Sequence, residues 1–329
     1  MLVDGLIERG IKVFPTLYHW DLPHSFLAKG GWTSRDTAKA FADYTSVVVN
    51  RLGDRIDALA TMNEPWCITY LSHLLGIHAP GERSLDAALA AVHTLNLAHG
   101  LGTVAARAEK PDIHMGIVIN AMSTYAGSDD PKDIAAAERH HQFHNGVFFG
   151  PIFDGAYDAE FMEALGDKVP LHDGDMQIIS QPLDWWGFNF YNPTTVLHDD
   201  NPDAIFPATK VIPSTNSDAR TDIGWELRAE GLSHLLNVVY ERYETLPECY
   251  ITENGACYNM GVGPDGTVDD QPRLDYLNDH LNSVANSIDD GIPVKGYFAW
   301  SLMDNYEWAE GYKMRFGIVH VDYETQKRA

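Results

Sequence analysis

Short runs of apolar residues alternate along the chain with longer segments in which apolar residues recur at helical spacing. The apolar runs cover residues 13–19, 58–64, 114–120, 185–191, 248–253 and 294–302. The helical spacing covers residues 1–9, 36–52, 85–107, 133–148, 229–244 and 274–290, with Thr33 or Ser34 as a cap of the second helix. This alternation predicts βαβ units and a parallel sheet, because parallel strands need long crossover connections.

The segments that follow the predicted strands are long and rich in Gly, Pro, Asp and Asn. They include residues 30–31, 79–81, 192–228 and 261–271, which are predicted loops. No repeat or low-complexity segment divides the 329 residues, a length above the roughly 250 residues of an ordinary (β/α)8 barrel. We therefore expect one domain over residues 1–329.

Five of the six apolar runs end in side chains that bind hydroxyl groups or carry out acid–base chemistry. They are His19 with Trp20, Asn63 with Glu64, Asn189 with Tyr191, Glu253 with Asn254, and Trp300 followed by Glu307 and Trp308. The remaining run ends in the amide of Asn120. In a parallel barrel the carboxyl ends of the strands share one face, where active sites are built. The sequence thus predicts a site at that face.

Two glutamates, Glu64 and Glu253, lie at the ends of apolar strands, where a charge is costly. If only one of these glutamates were present, a surface position just past the end of the strand would explain it. Together they match the carboxyl pair of glycoside hydrolysis, in which one group donates a proton and the other is ionised. Neutral neighbours such as Asn63 and Pro65 favour Glu64 as the donor, but the neighbours alone leave the assignment open.

Charge and cysteine content narrow the class of protein further. A formal net charge of −24 disfavours nucleic acid and anionic membrane surfaces as partners. The chain has three cysteines, Cys67, Cys249 and Cys257, which is an odd number without metal-type spacing. This pattern predicts neither a disulfide framework nor a zinc site. No apolar run is long enough to span a membrane and no signal peptide begins the chain, so we expect a cytoplasmic protein.

The remaining candidate residues favour structural roles. His140, His141 and His144 have near-helical spacing, and a solvated helix face explains them better than a metal site does. His93 and His99 are interpreted as hydrogen-bonded helix histidines. The sequence lacks a calcium loop, a nucleophile elbow and a phosphate-binding loop, so no metal or cofactor is predicted. The role of Trp20, Trp32 and Trp225 stays open between core packing and sugar stacking.

The chain resembles family 1 glycoside hydrolases, the β-glucosidase family of barrel enzymes, over nearly its whole length. The matching segments are residues 17–23 (LYHWDLP), 30–32 (GGW), 63–66 (NEPW), 78–81 (HAPG), 189–191 (NFY), 224–226 (GWE), 252–255 (TENG), 300–308 (WSLMDNYEW) and 315–318 (RFGI). They follow the family's order. The resemblance implies a TIM barrel and the hydrolysis of β-glycosides with retention of configuration.

The resemblance also implies a role for each matched residue. Glu64 becomes the acid/base and Glu253 the nucleophile of a double displacement through a covalent glycosyl intermediate. The residues implied to bind the sugar are His19, Trp20, Asn63, Asn189, Glu307 and Trp308, with Trp300 as the stacking platform. Tyr191 is implied to donate a hydrogen bond to the nucleophile. Trp66, His78 and Asn120 are implied to line the leaving-group side. A carboxylate at Glu307 would repel phosphate, so the resemblance implies unphosphorylated β-glucosides, β-galactosides or β-fucosides.

The match begins inside the family's third helical unit, so the first two βα units of the barrel are lacking and six barrel strands are expected. Six strands cannot close an eight-stranded barrel. Two explanations are considered. Either the chain is a fragment of a longer protein, which we favour, or self-association or a rearrangement of strands covers the open edge. A truncated, non-catalytic carbohydrate-binding or assembly remnant is the alternative function.

Overall fold

The computed structural model describes residues 1–201, 206–213 and 219–329, so the predicted loop over residues 192–228 is described only in part. Its strands are β1 (Thr16–Tyr18), β2 (Leu59–Asn63), β3 (Met115–Asn120), β4 (Thr124–Ala126), β5 (Trp185–Asn189), β6 (Thr194–Leu197), β7 (Lys210–Ile212), β8 (Glu248–Asn254) and β9 (Val294–Ala299). Six of them form one sheet in the order β1-β2-β3-β5-β8-β9. These six coincide with the six predicted runs, which confirms that prediction.

The six predicted helical segments are helical, with shifts of a few residues at their ends. The helices are α1 (Leu2–Ile7), α2 (His24–Leu27), α3 (Arg35–Leu52), α4 (Leu85–Glu109), α5 (Pro131–His141), α6 (Val147–Phe149), α7 (Ala159–Leu165), α8 (Asp175–Ile179), α9 (Glu230–Arg242) and α10 (Gln271–Asp289). Three of them, the short helices α2, α7 and α8, were not predicted. Ser34 occupies the N-cap position of α3. A π-helical segment, Cys67–Leu74, directly follows the first catalytic candidate and was not predicted.

The described residues group into two compact units. The first unit comprises Met1–Asn120, Gln142–Gly187 and Tyr243–Glu248. The second unit comprises Ala121–His141, Phe188–Arg242 and Cys249–Ala329. The single domain over residues 1–329 stays a prediction.

The first unit is built around the parallel strands β1, β2 and β3 and the long helix α4. All five residues of β2 are buried, as expected for a parallel strand covered on both faces. Helix α4 approaches α8 closely at Gly100, where an added Cβ would lie 2.1 Å from the carbonyl oxygen of Ile178. Glycine is therefore needed for this helix packing, which places α4 directly over the sheet.

The second unit contains the parallel pair β8 and β9, the helices α9 and α10, and a small sheet in the order β4-β6-β7. The small sheet was not predicted. Its strands are three or four residues long, and β4 and β7 have no buried residue, so their sequences lack an apolar run.

The histidines of the 133–148 segment depart from the prediction. His140, His141 and His144 are 3%, 5% and 2% exposed, so the solvated helix face predicted for them is wrong. The helix beyond His141 passes into a π-helical segment, Gln142–Gly146, which changes the face that its side chains present. Within residues 1–201, 206–213 and 219–329, no group of His, Cys, Asp or Glu side chains is arranged to hold a metal ion.

The other predicted histidines behave as expected for buried helix positions. His93 contacts the Tyr157 hydroxyl at 3.0 Å and Asp175 Oδ2 at 2.8 Å. His99 Nδ1 lies 2.8 Å from the Thr61 hydroxyl. Among the helices that the structure describes, none combines the length and the apolarity needed to cross a bilayer.

Candidate active site

Strand β2 carries Asn63 at its end and delivers Glu64 into the interior of the first unit. The Glu64 backbone N–H donates to the Val118 carbonyl oxygen at 2.9 Å, which continues the parallel pairing of β2 with β3. Glu64 is only 6% exposed. Because burial disfavours an ionised carboxyl group, this environment suits a group that must hold a proton.

Positive backbone φ angles mark several of the predicted site residues. Only five non-glycine residues among the described residues have a positive φ, and Trp20 (79°), Glu64 (49°) and Trp308 (37°) are three of them. This conformation costs L-amino acids about 1 kcal/mol or more. Strain of this kind is concentrated at functional sites, so its coincidence with three candidates supports their selection.

Asn63 organises the polar side chains next to Glu64. Its Nδ2 lies 3.4 Å from His19 Nε2, and its carbonyl oxygen accepts a hydrogen bond from Trp20 Nε1 at 3.0 Å. The Trp20 ring in turn lies 5.3 Å from the His78 ring, measured between centroids. These four predicted residues therefore form one connected group, and Trp20 is half-buried within it.

Burial sets the protonation of the two histidines in this group. It lowers the pKa of His19, against the opposing effect of the Asp21 carboxylate. It also lowers the pKa of His78. Both imidazoles are therefore neutral near pH 7, and each can donate one hydrogen bond and accept another, as recognition of a sugar hydroxyl requires.

Cys67 connects Glu64 with Asn120. The Cys67 thiol donates to Glu64 Oε2 at 3.2 Å, and Asn120 Nδ2 donates to Cys67 Sγ at 3.5 Å. No functional role was predicted for this cysteine, although its position three residues after a catalytic candidate was visible. The ring of Trp66 instead stacks on the ring of His144, with a centroid distance of 4.6 Å.

Strand β8 carries the second carboxylate candidate in the second unit. The Tyr191 hydroxyl donates to Glu253 Oε2 at 2.6 Å, and the Phe190 backbone N–H donates to the Glu253 carbonyl oxygen at 2.9 Å. One residue earlier on β8, the Thr252 hydroxyl donates to Asn189 Oδ1 at 2.6 Å. The predicted contact between the phenol and the nucleophile candidate is thus present, and Asn189 is held beside it.

The segment after Glu253 is held by a close backbone contact and by a buried arginine. A Cβ atom at Gly255 would lie 1.9 Å from the Trp300 carbonyl oxygen, so only glycine fits there. The Arg273 guanidinium is 4% exposed and donates to the backbone carbonyl oxygens of Ala256 and Tyr258. This arginine, which sequence reasoning missed, fixes the loop that leaves the nucleophile strand.

The segment from Trp300 to Trp308 depends on the buried carboxylate of Asp304. The Asp304 carboxylate accepts hydrogen bonds from the backbone N–H groups of Gly317 and Val321, both at 3.1 Å, and from the guanidinium of Arg315. The matching motif over residues 315–318 therefore has a structural role, which is to anchor the segment that carries the sugar-binding candidates. Within that segment, the Trp300–Ser301 peptide bond is cis.

Glu307 and Trp308 occupy a tight turn in this segment. The Glu307 backbone N–H donates to the Gly311 carbonyl oxygen at 2.7 Å, and the Gly311 N–H donates to the Trp308 carbonyl oxygen at 3.1 Å. Both side chains are half-buried. The turn therefore presents an anionic and an aromatic group side by side, which suits a polar face and an apolar face of one sugar ring.

The two remaining tryptophans of open assignment pack against other rings. Trp32 is 3% exposed and lies 4.9 Å from the Tyr18 ring, so it belongs to the core. Trp225 lies 5.1 Å from the Tyr191 ring and 5.6 Å from the Phe316 ring. Trp225 thus buttresses the phenol that contacts Glu253.

Comparison with known proteins decides the family. The glycosyl hydrolase family 1 model matches residues 1–329, the whole chain. The chain belongs to glycosyl hydrolase family 1. A β-glucosidase from an Agrobacterium species is 60% identical over 328 residues, which cover 99% of this chain and 71% of that protein.

Solved structures agree with this assignment. The virulence factor SghA from Agrobacterium tumefaciens, solved with its substrate analog salicin, is 60% identical with a TM-score of 0.97, covering 100% of this chain and 72% of that one. The Thermotoga maritima β-glucosidase in complex with deoxynojirimycin is 42% identical with a TM-score of 0.94, covering 99% and 73%.

These matches confirm three expectations for this family 1 chain. Its fold is that of the glycosidase TIM barrel, represented here by six parallel barrel strands. It is a hydrolase of the β-glucosidase type that acts with retention, and the alternative of a non-catalytic remnant is not supported. The roles of individual residues are not tested by these matches and remain predictions.

Proposed function

We propose that the chain hydrolyses β-glucosides by double displacement, with Glu64 as acid/base and Glu253 as nucleophile. The observation that carries the assignment is the 2.6 Å hydrogen bond from Tyr191 to Glu253 Oε2. A donor aimed at a carboxylate favours its ionised form, which is the form that attacks the anomeric carbon. Glu64 is 6% exposed whereas Glu253 is half-buried, and burial favours the protonated carboxyl group that a proton donor needs.

In the first step, the Glu253 carboxylate attacks the anomeric carbon while Glu64 protonates the departing oxygen. The bond between that carbon and the leaving oxygen breaks, and a covalent glycosyl ester forms. In the second step, Glu64 takes a proton from water, and the resulting hydroxide displaces Glu253 from the same carbon. Retaining glycosidases perform these steps with two carboxyl groups about 5 to 5.5 Å apart.

We assign the sugar to His19, Asn63, Glu307 and the two tryptophans of the 300–308 segment. The neutral His19 supplies one donor and one acceptor, and Glu307 accepts two hydroxyl groups. A carboxylate at Glu307 repels a phosphate on the sugar, which favours unphosphorylated substrates. Trp66, His78 and Asn120 are assigned to the leaving-group side. A cytoplasmic location and a homo-oligomer that covers the open barrel edge stay predictions of the sequence.

Azide rescue of glycine variants tests both carboxylate roles at once. We expect Glu253→Gly and Glu64→Gly each to lower turnover of an aryl β-glucoside by about a thousandfold or more. Azide entering the space left by Glu253 attacks the face opposite the leaving group and yields the α-glucosyl azide. In Glu64→Gly the covalent intermediate still forms from a reactive aryl glucoside, and azide then yields the β-glucosyl azide.

The control is Glu248→Gln, at the opposite end of the strand that carries Glu253. This variant should retain activity within about twofold, because glutamine keeps the size of the half-buried side chain and the 3.9 Å pairing of Glu248 with His114 contributes little. Full activity in Glu253→Gly, or the same azide anomer from both variants, would contradict the proposed roles. Glucose binding by calorimetry without any phenol release by the unaltered chain would favour a binding protein instead.

A further inference from the structure

Cys67 lies three residues after Glu64, at the first turn of the π-helical segment Cys67–Leu74. The Cys67 backbone N–H donates to the Glu64 carbonyl oxygen at 3.0 Å, which brings the two side chains to the same face of the turn. The Cys67 thiol then donates to Glu64 Oε2 at 3.2 Å. Both residues are buried, with exposed fractions of 7% and 6%.

Asn120 fixes the direction of this thiol hydrogen bond. Strand β3 pairs with β2 and ends at Asn120, whose Nδ2 donates to Cys67 Sγ at 3.5 Å. An amide nitrogen can only donate, so the sulfur atom is the acceptor on that side and its own proton points toward Glu64. Amide, thiol and carboxyl group thus form a directed chain that connects two neighbouring strands.

We propose that Cys67 is a positioning residue, whose thiol, oriented by Asn120, holds the Glu64 carboxyl group in the orientation from which it protonates the leaving oxygen. This inference rests on the proposed acid/base role of Glu64. The terminal torsion of a glutamate is broad, so a carboxyl group needs a partner to fix it. General acid catalysis requires that orientation, since the donor must lie within hydrogen-bond reach of the departing atom.

A thiol suits this task better than a stronger donor. An ammonium or guanidinium group would hold the carboxyl group equally well but would strongly favour its ionised form, which cannot donate a proton. A thiol is a weak, uncharged donor, so it fixes the orientation at little electrostatic penalty to the acid.

Leaving-group dependence separates positioning from packing. We measure kcat/KM for a phenyl β-glucoside, whose leaving group needs protonation, and for a dinitrophenyl β-glucoside, whose leaving group departs without it. Cys67→Val replaces the thiol with a slightly larger apolar side chain that cannot donate. We expect it to lower kcat/KM about tenfold for the phenyl substrate and less than about twofold for the dinitrophenyl substrate.

Cys67→Ser restores a donor and should return the phenyl value to within about threefold of the unaltered chain. Cys249→Val, at a buried cysteine on strand β8, controls for the loss of a thiol and should affect both substrates equally. An equal loss on both substrates in Cys67→Val, no loss on either, or no difference between the Ser and Val variants would overturn the inference.

Two outcomes distinguish this inference from the proposed function. If the unaltered chain releases no phenol from either substrate, or if Glu64→Gly is fully active, the proposed function itself fails. If Glu64→Gly is inactive and azide restores turnover, while the Cys67 variants show no leaving-group dependence, only the positioning role fails.

Discussion

The Tyr191 hydroxyl donates a 2.6 Å hydrogen bond to Oε2 of Glu253. The phenol is held in place by ring contacts with Trp225 at 5.1 Å and with Phe316 at 6.0 Å between centroids. The residue before it, Phe190, donates its backbone N–H to the Glu253 carbonyl oxygen. Side-chain and backbone contacts therefore preorganise one donor against one carboxylate, which is the arrangement that the proposed nucleophile role of Glu253 requires.

Removal of this hydroxyl tests its contribution. Tyr191→Phe keeps the ring and its packing but leaves Glu253 Oε2 without the phenol donor. Hydrogen bonds to charged groups contribute about 1.5 to 3 kcal/mol, so we expect kcat/KM for an aryl β-glucoside to fall about 10- to 100-fold. Tyr44→Phe, an exposed tyrosine on helix α3, is the control and should change kcat/KM little. A Tyr191→Phe variant with unchanged kinetics would show that the bond does not act in catalysis.

Replacement of Glu307 tests the proposed sugar contact. Glu307→Gln preserves shape but removes the charge that strengthens two hydrogen bonds to hydroxyl groups. We expect kcat/KM for the aryl β-glucoside to fall about 10- to 100-fold, with part of the loss in KM. Glu310→Gln, three residues later and exposed, is the matched control. If both variants behave alike, Glu307 is not a substrate contact.

Gly255 provides a steric test of the segment after the nucleophile. In Gly255→Ala the added methyl group would lie 1.9 Å from the Trp300 carbonyl oxygen, so the backbone must move. We expect the free energy of unfolding to fall by about 2 to 4 kcal/mol, together with a loss of turnover. Gly261→Ala lies in the same loop with nothing within 4 Å and should be nearly neutral. Comparable melting temperatures for the two variants would contradict the packing described here.

The strands and the catalytic candidates could be predicted because each leaves a local signal. A buried strand is a short apolar run, and a glutamate at its end is conspicuous, as with Glu64 and Glu253. The positions of the long helices followed from apolar spacing, as with α4 and α10. The small sheet of β4, β6 and β7 left no such signal, since its strands are only three or four residues long and β4 and β7 have no buried residue.

Roles that depend on distant partners could not be predicted. Arg273 looks like a surface charge on an amphipathic helix, yet it is buried because it binds the carbonyl oxygens of Ala256 and Tyr258. His144 was expected in solvent, but it lies in the π-helical segment Gln142–Gly146, which changes the helix face, and its side chain is buried. In both cases the deciding contact joins residues far apart or depends on an irregular backbone, neither of which is visible in residue spacing.

The buried carboxylate of Asp175, outside the candidate site, should make the free energy of unfolding depend on pH. Asp175 is 2% exposed and accepts hydrogen bonds from Arg35 at 2.6 and 2.8 Å, from His93 at 2.8 Å and from the His172 backbone N–H at 2.8 Å. Burial by itself would raise the pKa of Asp175, but these donors outweigh it and hold the pKa well below its usual range. Burial also lowers the pKa of His93, which therefore donates as a neutral imidazole.

The folded chain thus holds Asp175 ionised at pH values where the unfolded chain protonates it, near its ordinary pKa of about 3.9. Its stabilising effect is fully present above that pH and is lost as the pH falls toward the native pKa. We expect Asp175→Asn to lower the free energy of unfolding by about 3 kcal/mol at pH 7, and the difference from the unaltered chain to narrow as the pH falls below about 4. Urea unfolding of both proteins, at pH 7 and at a pH below about 4, measures this difference in the free energy of unfolding.

Asp86→Asn is the control, because Asp86 pairs with Lys168 at the surface and its loss should change stability by less than about 1 kcal/mol at either pH. The difference in free energy of unfolding between Asp175→Asn and the unaltered chain could instead stay constant down to low pH. That result would mean that Arg35 and His93 do not stabilise the charge of the carboxylate. Because Asp175 begins helix α8, which packs against α4 at Gly100, its loss should also loosen the helix layer over strand β2. Activity of Asp175→Asn should then decline in parallel with the folded fraction, rather than ahead of it.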